Sequence, residues 1–185
     1  MTTKAIRMTD SRVWIIGGII VAAAAARLIP HPPNFTPVGA MALFAGATLA
    51  DRRWAMLTPL AALFLSDLVL GSHSTLLFVY GAIVLITLLG RTLLNHRRSP
   101  LRIGGASLAA SLLFFMVTNF GSWISYDWYP ATLGGLLACY TAAIPFFGNT
   151  VSGDLLYSAA LFGGLALVKR IAAAKQRTPA FSDDA

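Results

Sequence analysis

Long apolar stretches separated by short polar or proline-containing connections dominate the chain. A helix needs about 20 mostly apolar residues to cross the hydrocarbon core of a bilayer, and several of the stretches approach that length. The pattern therefore predicts an all-α, polytopic membrane protein. The seven stretches cover residues 13–26, 37–50, 54–71, 75–89, 103–124, 131–147 and 151–168.

The composition supports this interpretation and excludes several kinds of activity. Of the 185 residues, 57% are hydrophobic and 11% are charged, whereas a soluble globular domain has about 25% charged residues. The sequence has one cysteine and no glutamate, and it contains neither a nucleotide-binding P-loop nor the zinc-protease or serine-hydrolase motifs. We therefore predict no enzyme activity, no cofactor and no metal site.

The distribution of lysine and arginine favours six crossings over seven, because cytoplasmic connections are enriched in these residues. If the N-terminus is cytoplasmic and residues 131–147 form a short helical or re-entrant segment, thirteen of the fourteen basic residues lie inside and Arg27 lies outside. Seven crossings would instead place the basic C-terminal tail outside. The prediction is six transmembrane helices in a single membrane domain at residues 13–173. Cytoplasmic tails are expected at residues 1–12 and 174–185.

The basic start followed by the apolar residues 13–26 also matches a secretory signal peptide. Arg27 ends this stretch and further apolar stretches follow it, so a retained first helix is the favoured interpretation. Within that helix Gly18, Ala22 and Ala26 are spaced four apart and share one face. Small residues at this spacing let a second helix approach closely in lipid, so we expect this face to contact a partner helix.

The connection at residues 27–37 contains four prolines and joins the first two predicted helices. Proline fixes φ and restricts the residue before it, so this segment, called here the proline loop, is expected to be extended and stiff. Thr36 is expected to cap the following helix, with Pro37 at its first position. Under the six-crossing topology the proline loop lies on the outer side of the membrane.

Unusual polar residues lie at the same outer level as the proline loop. Ionisable residues inside spanning segments are costly and mark functional positions by default, and Arg27 is expected to pair with one of the aspartates. The aromatic residues also fit an ordinary interfacial belt, but that interpretation does not explain the acids, amides and histidines beside them. The predicted substrate-binding residues are Arg27, His31, Asn34, Asp67, Tyr80, Asn119, Trp123, Asn149, Asp154 and Tyr157.

Several short runs resemble an uncharacterised family of small bacterial six-helix membrane proteins. They lie at residues 27–38, 65–68, 117–121, 129–130 and 144–150, so the resemblance covers nearly all of the chain from the first helix to the last. More distantly, the layout resembles the substrate-binding S-components of energy-coupling-factor (ECF) vitamin transporters.

The ECF resemblance implies six helices, both termini inside, and an external pocket closed by the loop between helices 1 and 2. It also implies that Ala22 and Ala26 contact a coupling subunit. Those transporters have an Asn and a Tyr-Pro at the end of helix 5 and a Pro-Phe-Asn-like entry to helix 6. The corresponding residues in this chain are Asn119, Tyr129, Pro130, Pro145, Phe146 and Asn149.

The leading hypothesis is a membrane-embedded binding and translocation subunit for a small vitamin-like nutrient in the bacterial inner (cytoplasmic) membrane. The proline loop would gate an external pocket, in which Arg27 would hold an acid of the ligand or one of the aspartates. Without a P-loop, uphill transport would need a transmembrane coupling subunit with ATPases, and no nucleic acid partner is expected. The alternatives are an ion- or proton-coupled secondary transporter using Asp67 and Asp154, and a non-transporting membrane scaffold.

Overall fold

The computed structural model describes residues 10–177, with side chains described for residues 17–174. These residues form six α-helices and no β-strand. Four of the helices are long and apolar enough to cross a membrane, which confirms an all-helical protein of membrane type. The helices are α1 (Asp10–Leu28), α2 (Val38–Thr48), α3 (Arg52–Leu70), α4 (Leu76–Leu94), α5 (Pro100–Ser125) and α6 (Leu133–Arg177).

Local sequence explains several of the helix boundaries. Asp51 precedes α3, and its carboxylate accepts a hydrogen bond from the backbone N–H of Arg53 at 2.7 Å. Ser99 precedes α5 in the same way, with Pro100 at the first helical position, where its missing N–H costs no helical hydrogen bond. Gly71 ends α3 with a φ of 86°, a conformation that favours glycine. The predicted stretches at residues 54–71, 75–89 and 103–124 lie close to the observed helices α3, α4 and α5.

The short helix α2 lies at the centre of the bundle, where it contacts α3, α4, α5 and α6. Eight of its 11 residues are buried. At 1.5 Å per residue it is about 16 Å long, roughly half the hydrocarbon thickness of a bilayer. Helix α2 is therefore buried and too short to cross the bilayer alone. The prediction that it is one of six transmembrane helices is not confirmed by its length.

Helices α2 and α4 cross with their backbones in close contact. A β-carbon on Gly46 would lie 1.9 Å from the carbonyl oxygen of Thr87, and one on Gly90 would lie 2.1 Å from that of Leu43. Neither position has room for a side chain. Close approach through small residues is typical of helix packing inside membranes, where dispersion contacts rather than water exclusion hold helices together.

Basic residues gather at one end of the bundle, called here the arginine end. The guanidinium of Arg91, near the end of α4, donates to the carbonyl oxygens of Leu49 and Ala50 at 3.3 and 3.1 Å. Arg98 donates to the carbonyl oxygen of Ala47 in the last turn of α2. Arg98 thus satisfies a carbonyl group that the end of α2 leaves without a helical partner, Arg91 binds the two residues that follow α2, and both cations oppose the negative end of the helix dipole.

The opposite end of the bundle is called here the loop end. It is formed by the proline loop, by the connection between α3 and α4, and by the connection between α5 and α6.

The last two apolar stretches form one continuous helix, α6, of 45 residues. The predicted separate or re-entrant segment at residues 131–147, and the break at residues 148–150, were therefore wrong. Pro145 removes one backbone N–H from the interior of this helix, yet the helix continues. Membrane helices accommodate proline and glycine where neighbouring helices and Ser or Thr hydroxyls satisfy the freed backbone groups.

Helix α6 runs antiparallel to α5, and contacts between the two helices lie on both sides of its local helix breakers. Near the loop end the Cys139 thiol donates to the carbonyl oxygen of Asn119 at 3.5 Å. Further toward the arginine end the hydroxyls of Ser107 and Ser158 are hydrogen-bonded at 2.9 Å. Residues 133–158 therefore belong to a single helix that descends beside α5.

Helix α1 packs against the bundle through Ala23 and leaves its small-residue face open. Ala23 is buried against α2 and α3, whereas Gly18 and Ala22 are exposed and Ala26 is half-buried. A β-carbon on Gly18 would meet no atom within 4 Å. In the described part of the chain this face is unoccupied, so its contact with a partner helix stays a prediction.

Candidate functional site

A cavity of about 480 Å³ opens at the loop end of the bundle. All six helices contribute to it, and the start of α2 lies at its base. Its walls combine apolar side chains with hydroxyl, amide and imidazole groups, which is the usual composition of a small-molecule site. The lining residues are Arg27, His31, Asn34, Thr36, Val38, Gly39, Leu63, Leu70, His73, Thr75, Val79, Ile83, Phe114, Phe115, Thr118, Asn119, Ser122, Ala143, Phe146 and Thr150.

Arg27, at the end of α1, is tied to α3 by an ion pair. Its Nη1 donates to Oδ1 of Asp67 at 2.8 Å and also to the hydroxyl of Ser66. The two charged side chains are 14% and 10% exposed. The second carboxylate oxygen of Asp67 accepts a hydrogen bond from the Tyr80 hydroxyl on α4 at 2.9 Å. The predicted pairing of Arg27 with an aspartate is therefore confirmed, and Asp67 joins three helices.

Asp154 lies inside the bundle, 4% exposed, at the start of α2. Its carboxylate accepts a hydrogen bond from the Ser111 hydroxyl at 2.7 Å and interacts with the backbone amide of Ala40 in the first turn of α2. Gly39 makes this approach possible, because a β-carbon there would lie 2.4 Å from a carboxylate oxygen of Asp154.

Asp154 takes the position that local sequence assigned to Thr36. The residue preceding α2 is Pro37, and no side chain caps this helix locally, so the predicted Thr36 cap was wrong. A carboxylate near the first free N–H groups of a helix is stabilised by the positive end of the helix dipole. The buried helix α2 thus has an acid from α6 at its start and arginines at its end.

The proline loop contributes two of the predicted residues to the cavity rim. Asn34 has a φ of 64°, a left-handed conformation in which asparagine is enriched among non-glycine residues. Backbone hydrogen bonds from Phe35 to Pro32 and from Thr36 to Asn34 close a tight turn around it. The His31 ring is bonded to the Pro32 carbonyl at 2.9 Å. Neither His31 nor Asn34 is hydrogen-bonded to an aspartate.

One face of α5 forms a wall of the cavity. Phe115, Thr118, Asn119 and Ser122 are spaced by three or four residues, and all of them line the cavity. Asn119 was predicted as a site residue, whereas the two hydroxyl residues and the phenylalanine were missed. Their helical spacing around Asn119 is the sequence signal that would have identified them.

The structure brings four of the ten predicted site residues to the cavity wall and leaves six outside it. Asp67, Tyr80 and Asp154 are engaged in the contacts described above. Tyr157 packs its ring against Phe35, with ring centroids 5.7 Å apart. The remaining two are Trp123, whose indole N–H donates to the Pro130 carbonyl at 3.0 Å, and Asn149, which is half-buried on α6.

Comparison with known proteins gives a family. The model of a family of unknown function matches residues 7–177, nearly the whole chain. No curated protein and no solved structure matches the chain, so the resemblance to ECF S-components stays a prediction. The chain belongs to the family of unknown function DUF6580.

Proposed function

We propose that this protein binds a small nutrient from outside the cell and helps to move it across the bacterial inner membrane, in the manner of an ECF S-component. The observation that carries the proposal is the cavity of about 480 Å³ at the loop end. Such a volume accommodates a vitamin-sized ligand. The substrate is a small molecule, and the protein itself performs no chemistry on it.

The proline loop acts as the gate of this cavity. His31 and Asn34 line the cavity from the loop, and the loop begins directly after α1, whose Arg27 is paired with Asp67. The ion pair fixes the root of the loop, so opening involves the segment between this pair and α2. A tight turn at Asn34 keeps that segment compact.

A partner supplies the energy for transport. The chain has no P-loop, so ATP-driven uptake requires a transmembrane coupling subunit with ATPases. The open face of α1 with Gly18 and Ala22 offers the surface for it, because small residues allow close helix contact in lipid.

Native mass spectrometry of gently purified protein tests ligand binding directly. We expect the wild type to retain a small molecule and the variant Ala143→Trp, which fills the cavity, to lose it. Ala142→Trp is the matched control, since Ala142 is exposed and does not line the cavity. The proposal would be refuted if the wild type retained no small molecule and bound none that was added, and if nutrient uptake by cells with Ala143→Trp equalled that by cells with the wild type.

A second candidate, a proton-coupled carrier, is favoured by the burial of Asp154. This carboxylate is 4% exposed, and no cation within the described side chains forms a salt bridge with it. Acidic residues in such surroundings serve as proton relays in transporters. Asp67 fits that role less well because its charge is paired with Arg27. Uptake that stops on addition of a protonophore while cellular ATP is maintained would favour this candidate.

A further inference from the structure

We propose that a second cavity, near the arginine end, binds an anionic phospholipid through its phosphate group and one acyl chain. The second cavity has a volume of about 580 Å³ and lies between α5 and α6. It shares no residue with the cavity at the loop end. The inference therefore goes beyond the proposed function and does not depend on it.

The second cavity is a groove that runs along one face of α6. Its α6 residues recur every one to four positions from Leu155 to Arg170, a spacing that keeps them on one side of the helix. At 1.5 Å per residue this stretch is about 22 Å long. Such an elongated shape suits an extended hydrocarbon chain better than a compact ligand.

The walls of the groove are open and largely apolar. A β-carbon on Gly104 of α5 or on Gly163 of α6 would meet no atom within 4 Å. The hydroxyls of Ser107 and Ser158 are buried and hydrogen-bonded to each other at 2.9 Å, so each has a polar partner inside the protein. The exposed rim includes Leu155, on a helix long enough to span a membrane. The groove is thus placed to receive an acyl chain from the bilayer.

Two arginines lie at one end of this apolar groove. Arg98 donates through Nε to the carbonyl oxygen of Leu94 at 3.1 Å and through Nη2 to that of Ala47. These bonds hold the guanidinium in place and leave Nη1 available. Arg170 is exposed, and no acid among the described side chains forms a salt bridge with either arginine. Both charges are therefore available for charge-assisted hydrogen bonds to a phosphate.

The first turn of α5 adds a third attraction at the same place. Pro100 is the first residue of α5 and lines the second cavity, and the positive end of a helix dipole favours an anionic group. A zwitterionic lipid would bring its own cation toward these positive charges, whereas phosphatidylglycerol would not. Basic pockets between transmembrane helices on the cytoplasmic side are typical sites for anionic head groups.

Native mass spectrometry of the purified full chain tests this selectivity. Phosphatidylglycerol and phosphatidylcholine with identical acyl chains are added at equal concentrations, and the fraction of protein carrying each lipid is measured. We expect phosphatidylglycerol to bind at least about fivefold more tightly, the effect of a single basic residue on an anionic lipid.

A charge variant identifies the head-group contact. Arg170→Gln should weaken phosphatidylglycerol binding about fivefold and leave phosphatidylcholine binding unchanged. Lys169→Gln is the matched control, because it removes the same charge from the neighbouring exposed position, which does not line the second cavity. General attraction to a basic surface would affect both variants equally.

A steric variant identifies the acyl-chain contact. Gly163→Leu places a side chain in the groove, so we expect it to lower phosphatidylglycerol binding to the level of phosphatidylcholine. Gly164→Leu is the matched control, since Gly164 is exposed, has the same free space around its β-carbon position and does not line the cavity. Monodisperse elution of both variants verifies that they fold.

The inference is overturned by any of three results. Equal binding of the two lipids to the wild type would leave a protein helix or a second copy of this chain as the occupant of the groove. Equal effects of Arg170→Gln and Lys169→Gln would remove the specific head-group contact. Equal phosphatidylglycerol binding by Gly163→Leu and Gly164→Leu would place the lipid outside the groove.

Discussion

The ion pair of Arg27 and Asp67 joins α1 to α3 at the loop end. Both side chains are largely buried, so removing one partner leaves an uncompensated charge. We expect Asp67→Ala to lower the free energy of unfolding by about 3–5 kcal/mol. Tyr80→Phe removes one hydrogen bond to the same carboxylate and should cost about 1 kcal/mol. Unfolding by SDS titration of the purified variants measures both effects.

The double variant Arg27→Met/Asp67→Leu separates loss of the pair from loss of one charge. Replacing a buried pair by apolar residues of similar size is often nearly neutral, so the double variant should be more stable than Asp67→Ala. If Asp67→Ala and Tyr80→Phe had equal, small effects, the ion pair would contribute little.

At the residue scale, the sequence predicted a contact where a residue type is rare in its part of the chain. Arg27 is the one basic residue that the topology placed outside, so its pairing with an aspartate followed from charge alone. The position of Asp154 could not be predicted, because its partners Ser111 and Ala40 are distant in the chain. Its role depends on how α2, α5 and α6 pack, which no local pattern reveals.

At the scale of elements, the crossing of α2 and α4 depends on two glycines. Gly46→Ala or Gly90→Ala places a β-carbon about 2 Å from a backbone oxygen of the other helix. Overpacking usually costs about 1–3 kcal/mol, and we expect the upper end of that range or above, since a backbone cannot rotate away. The yield of monodisperse protein and its SDS unfolding curve provide the measurement.

Gly81→Ala is the matched control for this prediction. Gly81 lies on α4, like Gly90, but a β-carbon there meets no atom within 4 Å. Alanine has the higher helix propensity, so Gly81→Ala should be neutral or slightly stabilising. Equal stability of Gly46→Ala, Gly90→Ala and Gly81→Ala would show that the two backbones are not in contact as described.

Helix α6 shows where local patterns mislead at this scale. Pro145, Gly148 and Asn149 are all helix breakers by intrinsic preference, and together they predicted a break. The structure continues the helix through them because α5 packs along it on both sides of the expected break. Propensity is a weak prior that tertiary contacts override, whereas the isolated stretches α3, α4 and α5 were predicted well by their apolar pattern.

At the scale of the whole molecule, the single long helix α6 determines how the two ends of the bundle are connected. The second cavity lies near the arginine end, and it is lined by Arg98 of the α4–α5 connection and by Arg170 of α6. Helix α6 therefore begins at the loop end, crosses the bundle once and ends at the arginine end. The basic residues of α6 join those of the α4–α5 connection, which is the arrangement that the positive-inside rule expects for the cytoplasmic side.

Cysteine labelling in intact cells tests this orientation. In a Cys139→Ser background, Ser72→Cys reports the α3–α4 connection, Thr132→Cys reports the start of α6, and His96→Cys reports the α4–α5 connection. All three positions are exposed. Because positive charge is retained on the cytoplasmic side, we expect an impermeant maleimide to label Ser72→Cys and Thr132→Cys in intact cells. His96→Cys should be labelled only after lysis, and labelling of His96→Cys alone in intact cells would invert the molecule and place the cavity on the cytoplasmic side.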